Sequence, residues 1–271
     1  MNNYNVNVFS AINMYYTQKR LIFAVILTAI IAITYFSFYP IRKAEMLSYT
    51  FDFKAQNLAL YWKDDKGIVL KNIGNLNTYV ESKNQKLVFA MNAGMYKKDN
   101  QPLGLFIKDG HLINPLNLFK FSDKTKDEIP NFYLQPNGVF YITFDNKAYI
   151  SKTKSFVNNS VRFATQSGPM LLIDGQINPT LKQGSRNYNI RNGVGILPDN
   201  KVIFAISKGK INFYDFALYF KNLGCSNALF LDGYVSRAYL PQKNYKQTDG
   251  NFGVMIGVTE PKDSALNKIQ K

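Results

Sequence analysis

The chain offers few residue types able to do chemistry. His111 is the only histidine; this excludes a histidine metal cluster, and its place beside the Asp109-Gly110 turn signal does not suit a catalytic triad. Cys225, the only cysteine, follows Gly224 at the end of a helical pattern and reads as a structural thiol. No Walker loop or complete Gly-x-Gly-x-x-Gly fingerprint occurs, and Gly193-Val194-Gly195 is only a fragment of one. Neither a metal nor a cofactor is expected. Carboxylates remain, 18 in all. Asp109, Asp145, Asp174 and Asp199 fall in hairpin turns, and Asp215 falls at the third position of a helix. Asp232 differs, because it ends the apolar strand Ala228-Leu229-Phe230-Leu231 and is followed by Gly233 without a partner strand. A carboxylate held at a strand end suits proton transfer or hydroxyl binding; the alternative is a turn or capping residue.

Two polar islands accompany it. Thr165-Gln166-Ser167-Gly168-Pro169 stands directly before the apolar run Met170–Ile173. Polar groups in front of a buried strand cost free energy unless hydrogen-bonded, so this segment is either a capped wide turn or one wall of a binding site. The second island, Ser185 to Gly193, carries Arg186 and Arg191 among three asparagines. Its arginines suit a planar grip on phosphate or carboxylate, and a solvated loop is the other reading.

The elements that must position these residues are mostly strands. Asp-Gly or Asp-Asn turns mark four hairpins, at Asp109-Gly110, Asp145-Asn146, Asp174-Gly175 and Asp199-Asn200. Tyr49–Ala55 and Leu58–Trp62 read as strands, the second turning at Lys63–Gly67 before Ile68–Leu70 in an antiparallel opening, Phe132–Leu134 as a further extended segment, and Asn75–Lys83 as a short amphipathic helix. Asn212 is an expected N-cap with Asp215 at N3; Phe213, Phe216, Phe220 and Leu223 share one face before Gly224 ends the helix. No repeat or linker divides residues 45 to 260. The expectation is an α+β fold: one mostly antiparallel β-sheet domain with a few packed helices, preceded by a single transmembrane helix.

That helix is read from Leu21 to Tyr39, an uncharged apolar stretch about 28 Å long at helical rise. Pro40-Ile41-Arg42-Lys43 follows it, where a cleavable signal would show small residues, so an uncleaved anchor is favoured. The expected order is a cytoplasmic tail at 1–20, a signal anchor at 21–39, a domain at 45–260 outside the cytoplasm, periplasmic or extracellular, and a tail at 261–271. A formal charge of +15 favours anionic partners. No basic helix, zinc-finger spacing or aromatic RNA-binding motif is present, so nucleic acid is not expected.

Seven segments then occur in order: MNAGM at Met91–Met95, PLGLFI at Pro102–Ile107, QPNGVF at Gln135–Phe140, ATQSGPMLLIDG at Ala164–Gly175, RNGVGI at Arg191–Ile196, NFYDFA at Asn212–Ala217 and NALFLDG at Asn227–Gly233. Together they resemble the phosphodiester glycosidase family. In that family's fuller strand-end signature glycines and serines follow Asp-Gly, whereas Tyr234 and Val235 intervene here before Ser236. The resemblance implies hydrolysis of a sugar-1-phosphodiester, with a phosphodiester-linked glycan or anionic envelope polysaccharide as partner and a place in envelope or exopolysaccharide metabolism. It makes Asp232 the expected acid, base or charge stabiliser; a two-carboxylate mechanism needs a second, for which Asp215 or Asp174 lies near a resembling segment, Asp215 being taken. Arg191 would hold the phosphate. Asn92, Gln166 and Ser167 would bind sugar hydroxyls, with Gly94, Gly168, Asn192 and Ser236 completing the substrate-contacting set. The alternative is a non-catalytic binding protein for an anionic envelope polysaccharide.

Overall fold

Turn chemistry sets the register of most of the chain. In the computed structural model, which describes residues 3–38, 44–53, 56–125, 128–231 and 235–262, Asp109 and Gly110 take φ of 49° and 81°, and Asp174 and Gly175 take 50° and 76°. Two successive positive φ values give the twist that tight hairpins need. The chain divides into two compact units, the first ending at Lys43 and the second beginning at Ala44.

The first unit holds α1, Asn3–Phe38. Residues of the expected tail and of the apolar span share this one continuous helix. Its segment Asn13–Ile31 is long and apolar enough to cross a membrane. Tyr39, the expected end of the span, lies outside the described residues.

The second unit begins with β1 (Met46–Phe51), β2 (Asn57–Tyr61), α2 (Ile73–Ser82), β3 (Gln85–Asn92), β4 (Phe106–Lys108), β5 (His111–Asn114), β6 (Gly138–Thr143) and β7 (Ala148–Lys152). It continues through β8 (Val161–Ser167), β9 (Met170–Ile173), β10 (Gln176–Ile177), β11 (Asn192–Ile196), β12 (Val202–Ser207), α3 (Phe213–Asn222), β13 (Asn227–Phe230), β14 (Ala238–Leu240), β15 (Tyr245–Lys246) and β16 (Met255–Pro261). The strands make three antiparallel sheets, ordered β1-β12-β11-β13-β9-β10, β15-β14-β3-β16-β2 and β5-β4-β8-β6-β7.

The antiparallel opening is seen across the 63–67 turn, where Lys63 bridges Val69 and Leu70 N donates to the Trp62 carbonyl at 3.0 Å, but the first two strands do not pair with each other. β1 pairs with β12 and β2 with β16, so the first two strands enter different sheets. Phe132 and Tyr133 are not extended: Asn131–Tyr133 is a 3-10 turn led by Pro130, and extended backbone resumes at Leu134. The first helix of the domain starts at Ile73, two residues earlier than its spacing suggests, because Asn72 caps it by accepting from Asn75 N at 2.8 Å.

One apolar core joins all three sheets, with Phe51, Phe89, Phe140, Phe163, Phe204 and Leu229 among its members. Helix α3 covers the outer face of the six-stranded sheet through Phe213, Phe216 and Phe220, and α2 covers the second sheet through Ile73, Leu76 and Val80. Gly193 and Gly195 let α3 come close. A Cβ at either would press on the Phe216 or Phe220 ring, which accounts for the glycines of the RNGVGI segment.

Candidate functional site

Strand ends from all three sheets meet at one place. Asn92 ends β3, Ser167 ends β8, Phe230 ends β13, and Asn192 opens β11. All but Phe230 are polar, and all four are buried. Buried polar groups must be hydrogen-bonded, and the bonds here run between strand ends or to the chain segments beside them.

Asn192 donates from Nδ2 to the Asn92 carbonyl at 2.8 Å and to Asn92 Oδ1 at 3.1 Å. Asn92 Nδ2 donates to the Val235 carbonyl at 2.6 Å, and its Oδ1 accepts from Arg237 N at 2.8 Å. Ser236 Oγ donates to the Ile190 carbonyl at 3.1 Å and lies 3.3 Å from Asn192 Oδ1. On the other side, Ser167 Oγ donates to the Leu231 carbonyl at 2.7 Å, and Leu231 N donates to the Asn192 carbonyl at 3.2 Å. The network thus grips the chain at Leu231 and again at Val235 to Arg237. Asp232 lies between these two grips and outside the described residues.

Arg237, which sequence reasoning passed over, fixes the far side. Its guanidinium holds Asp249 in a fork, with Nε and Nη2 each 2.9 Å from a carboxylate oxygen. The pair raises the pKa of Arg237 and lowers that of Asp249. No motif pointed to Arg237, because its partner lies in an unremarkable polar loop.

Arg191 is fully buried. Its guanidinium carbon sits 3.5 Å from the centre of the Phe213 ring and 5.3 Å from that of Phe230. Nε donates to the Ile211 carbonyl at 2.9 Å, and Nη2 donates to Asn187 at 2.8 Å (carbonyl) and 3.0 Å (Oδ1). Nη1 has no hydrogen-bond partner. Burial lowers the pKa of this guanidinium to about 9. Two of its contacts, Asn187 and Phe213, also line a cleft of ≈ 470 Å³ shared with Asn131, Leu134, Leu181 and Gln183. Phe213 lies within the NFYDFA segment, where helix spacing marked it only as a packing residue.

The remaining expected site residues stand elsewhere. Gln166 faces away from the strand-end network: Oε1 accepts from Leu105 N at 3.0 Å and Asn117 N at 2.9 Å, while Nε2 donates to the Asn117 carbonyl at 2.7 Å and Thr153 Oγ1 at 3.4 Å. All its capacity goes to holding two loops. Gly94 permits close approach, since a Cβ there would overlap Thr165 Oγ1; at Gly168 a Cβ would press on Asn137. Asp215 is exposed and takes part in a reciprocal cap, its N–H donating to Asn212 Oδ1 at 2.8 Å and its Oδ2 accepting from Asn212 Nδ2 at 2.9 Å. No cluster of metal-ligating side chains occurs among the described residues.

Residues 85–259 match the phosphodiester glycosidase family profile. Over 194 residues the chain is 34% identical to the uncharacterized protein YigE of Escherichia coli K12, covering 71% of this chain and 73% of that protein. Its fold is similar to the catalytic domain of zebrafish N-acetylglucosamine-1-phosphodiester alpha-N-acetylglucosaminidase, auto-inhibited by its pro-peptide, with a TM-score of 0.52 at 15% identity over 82% of this chain and 85% of that one. A hypothetical protein from Synechocystis aligns at a TM-score of 0.48 and 14% identity, over 79% of this chain and 59% of that one. Over more than half its length, from β3 to β16, this chain belongs to the phosphodiester glycosidase family.

Proposed function

We infer that this chain is a membrane-anchored hydrolase that cleaves a sugar-1-phosphodiester of an envelope or exopolysaccharide glycan, with α1 as anchor and the second unit outside the cytoplasm. The observation that carries this reading is the buried Arg191 guanidinium, whose Nη1 has no partner. A buried cationic donor without an acceptor is costly, and a phosphate oxygen is an acceptor of the charge that Nη1 calls for.

In the proposed reaction, water adds to the anomeric carbon while the bond from that carbon to the phosphate oxygen breaks. The products are the free sugar and a phosphomonoester. Negative charge builds on the departing phosphate, so a fixed guanidinium beside it favours the transition state over the ground state. Asp232 would take the proton from water or stabilise positive charge at the anomeric carbon. The network fixes the backbone at Leu231 and at Val235 to Arg237, the described residues that flank it in sequence. Asn92, Ser167, Asn192 and Ser236 act in this reading through that backbone, and Gln166 by holding the loops at the site's flank.

Incubating the full chain in detergent with a panel of sugar-1-phosphodiesters tests the proposal. Release of free sugar with a matching amount of phosphomonoester is expected. Tight binding of the panel without release would assign the chain to a non-catalytic glycan-binding role.

A further inference from the structure

Beyond the cleft, the loop after β5 carries a second surface. Phe119, Phe121 and Tyr133 pack edge to face, with ring centres 5.0, 5.6 and 5.2 Å apart, yet Phe119 is 56% exposed. Lys124 Nζ stands 5.0 Å from the centre of the Phe121 ring. The Lys120 and Lys154 side chains approach each other directly, and this like-charge contact lowers the pKa of Lys120. None of the ion pairs among the described residues involves Lys120, Lys124 or Lys154.

This arrangement is built rather than incidental. The buried Gln166 amide ties Asn117 and Thr153 together, fixing the segment that leads to Phe119 and Lys120 and the 3-10 turn Thr153–Ser155 that carries Lys154. Asn117 Oδ1 accepts from Phe119 N at 3.0 Å and sets the turn. Tyr133 shares the 3-10 turn Asn131–Tyr133 with Asn131, which lines the cleft beside Arg191.

We propose that Phe119, Phe121 and Tyr133, with Lys120, Lys124 and Lys154 around them, form a binding surface for an anionic polysaccharide. Sugar rings stack through their C–H faces on the aromatic rings, and acidic substituents pair with the ammonium groups. Rigid aromatic rings give contact area at low conformational-entropy cost, and the lysines complement the polymer's charge. A polymer held there reaches the cleft past Asn131. The proposal extends the hydrolase reading without resting on it, because it concerns binding whether or not a bond is cut.

The test is binding of the full chain, in neutral detergent micelles, to polygalacturonate, neutral dextran and polyglutamate. Polygalacturonate should bind at least tenfold more tightly than either control. F119A/F121A should weaken polygalacturonate at least tenfold and leave polyglutamate unchanged. K120A/K154A should weaken both acidic polymers, and F119Y/F121Y should retain binding and confirm an intact surface. Equal affinity for polyglutamate and polygalacturonate would reduce the patch to general positive charge. Unchanged polygalacturonate binding in F119A/F121A would remove the aromatic platform, and displacement of polygalacturonate by micelles doped with phosphatidylglycerol would reassign the surface to anionic lipid.

Discussion

The Asn192 side chain donates two hydrogen bonds to Asn92, a residue one hundred positions earlier and in a different sheet. This pair joins the end of β3 to the start of β11 inside the core, where water cannot replace a missing donor. Asn192→Ala should destabilise the domain by about 1–3 kcal/mol, the cost of losing two buried hydrogen bonds between strand ends. Urea unfolding checks this. A change below about 0.5 kcal/mol would mean that the strand ends are held by packing alone.

Arg191 gives a prediction with a defined pH dependence. Inorganic phosphate, compared with chloride at equal ionic strength, should raise the thermal midpoint of the wild type by about 2–4 °C, as expected for an anion that binds only the folded state. Arg191→Met should abolish the rise. Binding requires the charged guanidinium, whose pKa burial lowers to about 9. The phosphate effect is therefore complete at neutral pH and declines as pH climbs past 9. The linkage to folding without phosphate has the opposite sense: above pH 9 the unfolded chain binds more protons at this arginine, so the burial penalty shrinks as pH rises. An equal phosphate rise in wild type and Arg191→Met would remove the clamp.

The sequence carried the local structure well and the long-range structure poorly. Asp109-Gly110 and Asp174-Gly175 turn as their residue types require, and Asn212 with Asp215 caps α3 as its spacing indicated. Those signals are local, because positive φ and capping are decided within four residues. What pairs with β1 is decided more than 150 residues away, in β12, and no turn residue encodes that. The site shows the same division. Asn92, Ser167, Asn192 and Ser236 lie in or beside recognisable segments and meet at one network. The direction of a side chain from its strand was not legible: Gln166 and Ser167 are adjacent, and β alternation sends them to opposite faces.

The two expected catalytic carboxylates separate by substitution. Asp232→Asn should lower turnover of a sugar-1-phosphodiester by about two orders of magnitude or more, the size of losing an acid–base group. The exposed Asp215 side chain completes the cap of α3, so Asp215→Asn should cost about 0.5–1 kcal/mol of stability and leave turnover within about twofold. A hundredfold loss of turnover in Asp215→Asn with an unchanged thermal midpoint would make it the second catalytic carboxylate.

Gln166 separates holding a loop from touching a substrate. Its amide meets two N–H groups, one carbonyl and one hydroxyl, and it is buried. Gln166→Ala leaves the N–H groups of Leu105 and Asn117 without acceptors, at about 1–3 kcal/mol for each unsatisfied group. Gln166→Glu keeps an acceptor for them but sets a second oxygen against the Asn117 carbonyl. Both variants should lower stability, and both should speed amide hydrogen exchange across 115–121 while leaving exchange in α3 unchanged. Ser167→Ala, one residue along and on the opposite face, should leave the 115–121 loop protected. If Gln166→Ala instead lowers turnover with no change in loop exchange or stability, its amide contacts the sugar and the loop is held by other means.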